Sequence, residues 1–138
     1  MSQSNESYAY FALTGTLDPE MVSRRTGIAP TDSWRKGDLH PRTRRERKFD
    51  RWELASRLPR TEELELHIAD VLVQLEASPI EFAALAKEHS GRMQLVGYFH
   101  EEYPGLVFSA SLVAGLAKFN LSMDFDFYAL WSDARDDT

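Results

Sequence analysis

The chain has no cysteine, no long hydrophobic run and no glycine-rich segment. The absence of cysteine excludes disulfides, thiol nucleophiles and thiolate metal sites. No apolar run is long enough to span a bilayer, and residues 1–7 lack the basic start and apolar core of a secretory signal. The seven glycines are scattered, so no loop is built to cradle a phosphate. We therefore expect a cytoplasmic protein with no membrane partner and no cofactor.

The length sets the domain organisation. A chain of 138 residues with 43% apolar content forms one domain with a real core and leaves little room for a second. We expect a disordered lead-in over residues 1–7, a single α+β domain over residues 8–131 and an acidic tail over residues 132–138.

Charge is distributed unevenly. Residues 1–60 carry twelve Lys/Arg against eight Asp/Glu, whereas residues 61–138 carry four against fourteen. The basic excess is concentrated in one segment, at Arg35, Lys36, Arg42, Arg44, Arg45, Arg47, Lys48 and Arg51. Because the chain is acidic overall and only one segment is basic, a dedicated nucleic-acid binder is disfavoured.

The two ends of the chain look like variations on one strand–helix unit. A strand over residues 7–13 leads to a helix capped by Asp18 and ended at Gly27. A strand over residues 93–99 leads to a helix capped by Ser109 and ended near Asn120. The distances from cap to terminator differ between the two halves, so both a duplication and a recurrent supersecondary unit stay open.

The middle of the chain adds one strand and two helices. Residues 48–58 read as a strand with Trp52 and Leu54 facing the core. A helix capped by Thr61 follows, with an apolar stripe, and Ser78 to Glu81 form a capping box for a second helix that ends at Gly91. The stripe consists of Leu64, Ile68, Val71, Leu72 and Leu75.

The last strand shows the clearest alternation, because apolar Met123, Phe125 and Phe127 alternate with Asp124 and Asp126. We also expect a short extra strand near residues 105–108. Without the two-helix insertion over residues 61–90, the element order is βαββαβ, the order of a ferredoxin-like fold. Such a fold has a mostly antiparallel sheet with helices packed on one face.

Several short motifs occur together in this order. They are Gly27-Ile28-x-Pro30-Thr31, Lys36-Gly37-Asp38, Trp52-x-Leu54-x-Ser56 and the closing strand Leu121-Ser122-Met123-Asp124-Phe125-Asp126-Phe127-Tyr128. With them, the chain resembles, over nearly its full length, the uncharacterised and largely bacterial family catalogued as domain of unknown function 4279. The resemblance implies a shared fold and no activity.

The longest irregular segment runs from residue 28 to residue 47, and long loops in small domains are often functional. Trp34 with the neighbouring cations suits a phosphate or an acidic partner, since guanidinium groups bind oxyanions through paired hydrogen bonds. The alternative is a set of solvated charges on a flexible loop. The anion- or partner-binding candidates are Trp34, Arg35, Lys36, Arg42, Arg44, Arg45, Arg47 and Arg51.

No set of residues predicts catalysis or a metal site. His67 lies near Glu63 and Asp70 along its helix, a spacing that favours exposed helical pairing over acid–base or metal chemistry. Asp124 and Asp126 read as acids on the solvent face of a strand and as candidates for a face that contacts a partner.

Two functional classes remain. The favoured class is a non-catalytic protein-binding module, of which an immunity protein that neutralises a bacterial toxin is one form, with the acidic second half docking on a basic partner. The alternative is a small enzyme or ligand-binding protein with an anion site in the region of Trp34 and residues 42–51.

Overall fold

The structure is a computed structural model in which residues 4–131 are described. These residues form β1 (Glu6–Gly15), α1 (Pro19–Thr26), β2 (Asp32–Trp34), β3 (Asp50–Ala55), α2 (Leu64–Leu75), α3 (Pro79–Glu88), β4 (Arg92–Phe99), α4 (Ala110–Lys118) and β5 (Ser122–Ala129). β1 begins within the expected lead-in, and the expected acidic tail lies outside the described residues. None of the four helices is long and apolar enough to cross a membrane.

The five strands form one sheet in the order β2-β3-β1-β4-β5. Neighbouring strands are antiparallel except for β4 and β5, which are parallel and joined through α4. The predicted α+β class with a mostly antiparallel sheet is confirmed. The ferredoxin-like order is not confirmed, because β1 lies between β3 and β4 and is antiparallel to both. Only the last unit makes the helical crossover that a parallel neighbour requires.

All four helices contribute to a single core on one side of this sheet. That core contains Val22 of α1, Phe82 of α3 and Leu112 of α4, together with the apolar stripe of α2. The odd-numbered residues of β1 and the even-numbered residues of β3 face it, so Phe11 and Trp52 are fully buried there. α2 packs directly on β1 and β4, which makes it a central part of the core.

The opposite side of the sheet carries no helix in residues 4–131. It is formed by the even-numbered residues of β1, β2, β4 and β5 and by the odd-numbered residues of β3. We call this surface the helix-free face.

Helix caps confirm part of the sequence interpretation. The Asp18 carboxylate accepts a hydrogen bond from the backbone N–H of Glu20 (3.0 Å), and Gly27 has a left-handed φ of 72°. Ser109 caps α4 in the same way, accepting from the N–H of Leu112 (3.1 Å). These side chains satisfy N–H groups that have no partner within the helix.

One predicted cap is wrong and another is confirmed in position only. Glu63 rather than Thr61 occupies the cap position of α2, whereas Ser78 is the cap residue of α3, with Pro79 first in the helix, but its side chain makes no capping hydrogen bond. Glu81, the other half of the predicted capping box, instead accepts a hydrogen bond from Arg25 Nε of α1 (2.7 Å). The Glu81 carboxylate therefore takes part in a tertiary ion pair with Arg25 and not in the predicted capping box.

Two connecting segments also differ from expectation. Residues 103–109 contain no strand, so the extra strand predicted near 105–108 is not formed. Segment 28–47 contains the short strand β2, followed by a hairpin-like turn in which the N–H of Gly37 donates to Arg47 (2.9 Å) and the N–H of Arg47 donates to Asp38 (2.7 Å).

Candidate functional site

The helix-free face is rich in aromatic side chains. Tyr8 and Tyr10 of β1 lie on it because they alternate with core-facing Ala9 and Phe11. One ring pair joins two neighbouring strands, and another lies within β1. Tyr98 of β4 stacks on Tyr128 of β5 with ring centres 5.1 Å apart, and the centres of Tyr8 and Tyr10 are 6.2 Å apart. The aromatic rings on this face are therefore held in fixed positions by the sheet.

At the β2 edge of the face, two arginines stack on Trp34. Arg47 Cζ lies 3.7 Å from the centre of the indole ring, and Arg51 Cζ lies 5.7 Å from the same centre. Arg51 also donates a hydrogen bond from Nη2 to the hydroxyl of Tyr10 (3.3 Å). Cation–π contacts of this kind orient a guanidinium group without neutralising its charge. We call Trp34, Arg47 and Arg51 the basic corner.

Partial burial raises the pKa values of several groups in the middle of the face. Arg51 Nε forms an ion pair with the carboxylate of Glu53 at 2.6 Å. Burial nevertheless raises the pKa of Glu53, and burial also raises the pKa of the Tyr10 hydroxyl, with the Glu53 charge adding to the effect. Tyr8 shows the same direction, because burial and the neighbouring Tyr98 raise its pKa. The hydroxyls of Tyr8 and Tyr10 therefore stay neutral near pH 7 and can both donate and accept hydrogen bonds.

The β5 edge of the face is acidic. Asp124 lies 3.7 Å from Arg92 Nη1, and Asp126 accepts a hydrogen bond from Gln94 Nε2 (3.2 Å). The strand order separates this edge from the basic corner by four inter-strand spacings, or about 19 Å. The helix-free face thus has cations stacked on Trp34 at one edge and carboxylates at the other.

Hydrogen-bond donors are left unpaired on this face. Among residues 4–131, six buried side-chain polar atoms have no hydrogen-bond partner. Five belong to side chains on the helix-free face or stacked on it, namely Thr14, Trp34, Arg47, Arg51 and Arg92, of which Arg51 is ion-paired with Glu53. Buried polar groups in folded proteins are normally paired, so these atoms are unusual features of this face.

The predicted basic candidates do not form one site. Arg35 donates from Nη2 to the Asp18 carboxylate (2.7 Å), and that hydrogen bond holds the pKa of Asp18 below its ordinary value. The backbone N–H of Lys36 donates to Asp50 (2.7 Å). Only Trp34, Arg47 and Arg51 of the predicted set come together on the helix-free face.

Three other arginines lie at the tip of the hairpin-like turn. The turn is closed by His40, whose N–H donates to the carbonyl of Arg45 (2.8 Å) and whose carbonyl accepts from Arg44 (2.9 Å). Within the described chain, the side chains of Arg42, Arg44 and Arg45 are exposed and make no ion pair. They are available to solvent or to a partner.

His67 occupies a different environment from the one predicted. It is fully buried, and its Nδ1 lies 2.5 Å from the Ser56 hydroxyl oxygen. Burial lowers the pKa of this imidazole. Asp70 turns away to bind the guanidinium of Arg57 (2.6 Å), so the expected exposed pairing of His67 with its helical neighbours is wrong. No group of His, Asp or Glu residues in positions 4–131 is arranged to hold a metal ion.

A separate cleft of about 680 Å³ opens between the start of α2 and residues 104–107. Glu62, Glu63 and Glu65 line one side, and Phe99 and Leu106 line the other. Carboxylates at the N-terminus of a helix stabilise the helix dipole, which accounts for these acids without a ligand. None of the predicted site residues lines this cleft.

Sequence reasoning missed the four tyrosines and Arg92. The signal for Tyr8 and Tyr10 was present as period-two alternation, but both faces of β1 carry apolar or aromatic residues, so no polar side stood out. Arg92 precedes a predicted strand and gave no signal by itself.

Comparison with known proteins gives one positive result. A model of the family described as Domain of unknown function (DUF4279) matches residues 5–130. No curated protein and no solved structure matches the chain. The matched residues include every strand of the helix-free face.

Proposed function

The chain belongs to the family described as Domain of unknown function (DUF4279), and we propose that it is a non-catalytic protein-binding module that docks through the helix-free face. The observation that carries this proposal is the set of aromatic and arginine side chains ordered on that face, with Arg47 stacked on Trp34 and Tyr98 stacked on Tyr128. A protein partner supplies apolar and acidic groups that contact such rings and cations.

The residue types of the face support the proposal. Tyrosine, tryptophan and arginine are the residues most enriched at binding hot spots, because they combine large contact area with a polar group. Here the rings of Tyr98 and Tyr128 are already stacked, and Arg47 is already stacked on Trp34. A partner therefore loses little affinity to side-chain ordering.

Charge defines the partner's surface. The complementary surface places acidic groups on the basic corner and basic groups on Asp124 and Asp126 at the opposite edge of the sheet. Such a pattern fixes the orientation of docking and accelerates the encounter. The acidic second half of the chain favours an immunity-type role as the form of this proposal. In that role the module covers the functional surface of a toxin, and that surface carries a basic patch.

A second candidate function is an anion site at the basic corner. The stacking of Arg47 and Arg51 on Trp34 favours it, because it holds two guanidinium groups near one ring. The ion pair of Arg51 with Glu53 opposes it, because the carboxylate already occupies part of the space an anion needs.

The test begins by isolating a partner from the native cell with the tagged chain at low salt. The dissociation constant of the purified partner is then measured by calorimetry for the wild type and for Tyr128→Ala and Arg92→Ala on the helix-free face. Val73→Ala and Val113→Ala, exposed on α2 and α4, are matched controls on the helical side.

The proposal predicts at least a tenfold loss of affinity for the face variants and less than a threefold change for the controls. Equal losses in both sets would contradict docking on this face. A chain that retains no protein, and whose melting temperature rises with inorganic phosphate only while Arg47 is present, would favour the anion site instead.

A further inference from the structure

β5 is an edge strand of eight residues, Ser122–Ala129. Its inner side pairs with β4, and no described strand pairs with its outer side. The N–H of Ser122 donates to the carbonyl of Gly91 (3.2 Å), and the N–H of Leu130 donates to the carbonyl of Phe99 (2.7 Å). In a parallel ladder, alternate residues bond to one neighbour, so the even-numbered residues of β5 direct their backbone groups at β4. Met123, Phe125 and Phe127 therefore direct N–H and C=O groups at the open edge, where the N–H of Phe125 donates to the Asp124 carboxylate (3.0 Å).

The two edges of the sheet differ in how they are protected. β2, at the other edge, is only three residues long, which is one way in which proteins avoid unwanted strand pairing. No strand within residues 4–131 pairs with the outer edge of β5. Its length and its outward backbone groups make this edge a template for an added strand, which takes the place of the Asp124 carboxylate at the N–H of Phe125.

The side chains of β5 determine which residue types an added strand needs in order to pair with it. Asp124 and Asp126 project on the helix-free face, and Phe125 projects on the opposite face with 47% of its surface exposed. An added strand therefore meets two carboxylates on one face and a half-exposed aromatic ring on the other. Lysine or arginine at alternate positions, with apolar residues between them, complements both faces.

A second copy of the chain is a poor occupant of this edge. Antiparallel pairing of two β5 strands centred on Phe125 places Asp124 of each copy opposite Asp126 of the other. Four carboxylates then meet on one face, and like charges directly opposite each other destabilise a strand pair. The acids thus act against self-association while attracting a basic strand.

We infer that the β5 edge binds an extended basic segment of a partner protein, which adds as a sixth strand with its cationic side chains facing Asp124 and Asp126. Backbone hydrogen bonds provide affinity in this mode, and the alternating side chains provide specificity. The inference rests on the proposed protein-binding function and names a contact that the helix-free face alone does not require.

The probe is a fluorescently labelled eight-residue peptide that alternates lysine and valine, compared with one that alternates glutamate and valine. Binding is measured by fluorescence anisotropy. We expect the basic peptide to bind at least tenfold more tightly than the acidic one, and the double variant Asp124→Lys/Asp126→Lys to reverse that preference.

The variant Phe125→Pro isolates the backbone contact. Proline at position 125 removes an N–H that points outward and leaves the ladder to β4 intact, as is tolerated on an edge strand. We expect this variant to lose at least tenfold in peptide affinity and to melt close to Phe125→Ala, since both variants lose the ring contact with Phe127. Phe125→Ala, which keeps the N–H, is the matched control and is expected to lose less than fivefold.

Amide hydrogen exchange provides a readout that does not depend on a variant's folding. Bound basic peptide is expected to slow exchange at Phe125 and Phe127, whose amides point outward, and to leave Asp124 and Asp126 unchanged. Equal binding of both peptides, full binding by Phe125→Pro, or no added protection at Phe125 would overturn the inference. Arg92→Ala is expected to retain peptide protection at Phe125, so loss of native-partner binding in that variant alone would leave the edge site standing.

Discussion

Arg47 and Trp34 are brought face to face by two different parts of one segment, with the guanidinium carbon 3.7 Å from the indole centre. Trp34 belongs to β2, and Arg47 closes the hairpin-like turn through backbone hydrogen bonds to Gly37 and Asp38. The segment that reads as a basic loop is thereby attached at both ends to the sheet. Its last arginine becomes part of the helix-free face, and its tip stays in solvent.

Replacement of Arg47 separates binding from stability. Arg47→Ala removes a cation–π contact and is expected to lower the free energy of unfolding by at most about 1 kcal/mol. The same change is expected to weaken partner binding at least tenfold, because it removes a preordered cation from the basic corner. Chemical denaturation and calorimetry check the two quantities. Arg45→Ala, at the exposed tip, is the matched control; an equal loss of affinity in both variants would contradict a specific role for the corner.

His67 predicts a pH dependence of stability. Burial lowers its pKa in the folded state, so below the ordinary value of 6.5 the unfolded chain takes up the proton first. The contribution of neutral His67 to the free energy of unfolding is therefore intact above pH 6.5 and is lost as the pH falls. For one proton, the free energy of unfolding falls by at most about 1.4 kcal/mol per pH unit. Denaturation at pH 7.5, 6.5 and 5.5 measures it.

His67→Gln is expected to be less stable at pH 7.5, because the contact with Ser56 is lost, and to have a flatter pH profile than the wild type. His100→Gln serves as the control, since the side chain of His100 is only half-buried. Parallel profiles for wild type and His67→Gln would show that this imidazole is not the titrating group.

The end of α3 depends on the absence of a side chain at Gly91. A Cβ there would lie 2.7 Å from Ala86 Cα and closer still to Ala86 Cβ. Gly91→Ala is therefore expected to lower the free energy of unfolding by about 1–3 kcal/mol through overpacking. Gly105→Ala, with nothing within 4 Å, is expected to change stability by less than about 1 kcal/mol. Similar values for both variants in urea denaturation would exclude the steric explanation.

The two serine caps predict different costs. Ser109→Ala removes a hydrogen bond to the N–H of Leu112 and is expected to destabilise the fold by about 1 kcal/mol. Ser78→Ala is expected to cost no more than about 0.5 kcal/mol, because the Ser78 side chain makes no capping bond. Thermal unfolding of both variants tests the distinction, and a larger cost at Ser78 would contradict the observed geometry.

Local sequence signals predicted local structure where no tertiary partner competed. Asp18 and Ser109 cap their helices, and Phe125 alternates with Asp124 and Asp126, because these features depend on neighbouring residues alone. The capping box at Ser78 is incomplete: the Ser78 hydroxyl makes no capping bond, and the Glu81 carboxylate is bound by Arg25, 56 positions away in the sequence. α3 ends at Glu88, three residues before the predicted terminator Gly91, and Ser90 carries the left-handed φ of 54°.

The helix-free face could not be predicted because it is defined by strand order. Nothing local in β1 indicates that it pairs with β3 on one side and β4 on the other. That arrangement is what brings Tyr10 beside Arg51 and sets the acids of β5 opposite the basic corner. The burial of His67 was hidden for the same reason, as its contact with Ser56 crosses from α2 to the end of β3.

The most direct measurement of docking through the helix-free face is the ¹⁹F spectrum of the chain labelled with 3-fluorotyrosine, recorded with and without the purified partner. The chain has five tyrosines, of which Tyr8, Tyr10, Tyr98 and Tyr128 lie on the face. Tyr103 packs on core-facing Phe99 and is an internal control. We expect the partner to shift or broaden the four face resonances and to leave Tyr103 unchanged. A spectrum in which only Tyr103 responds would contradict the central claim.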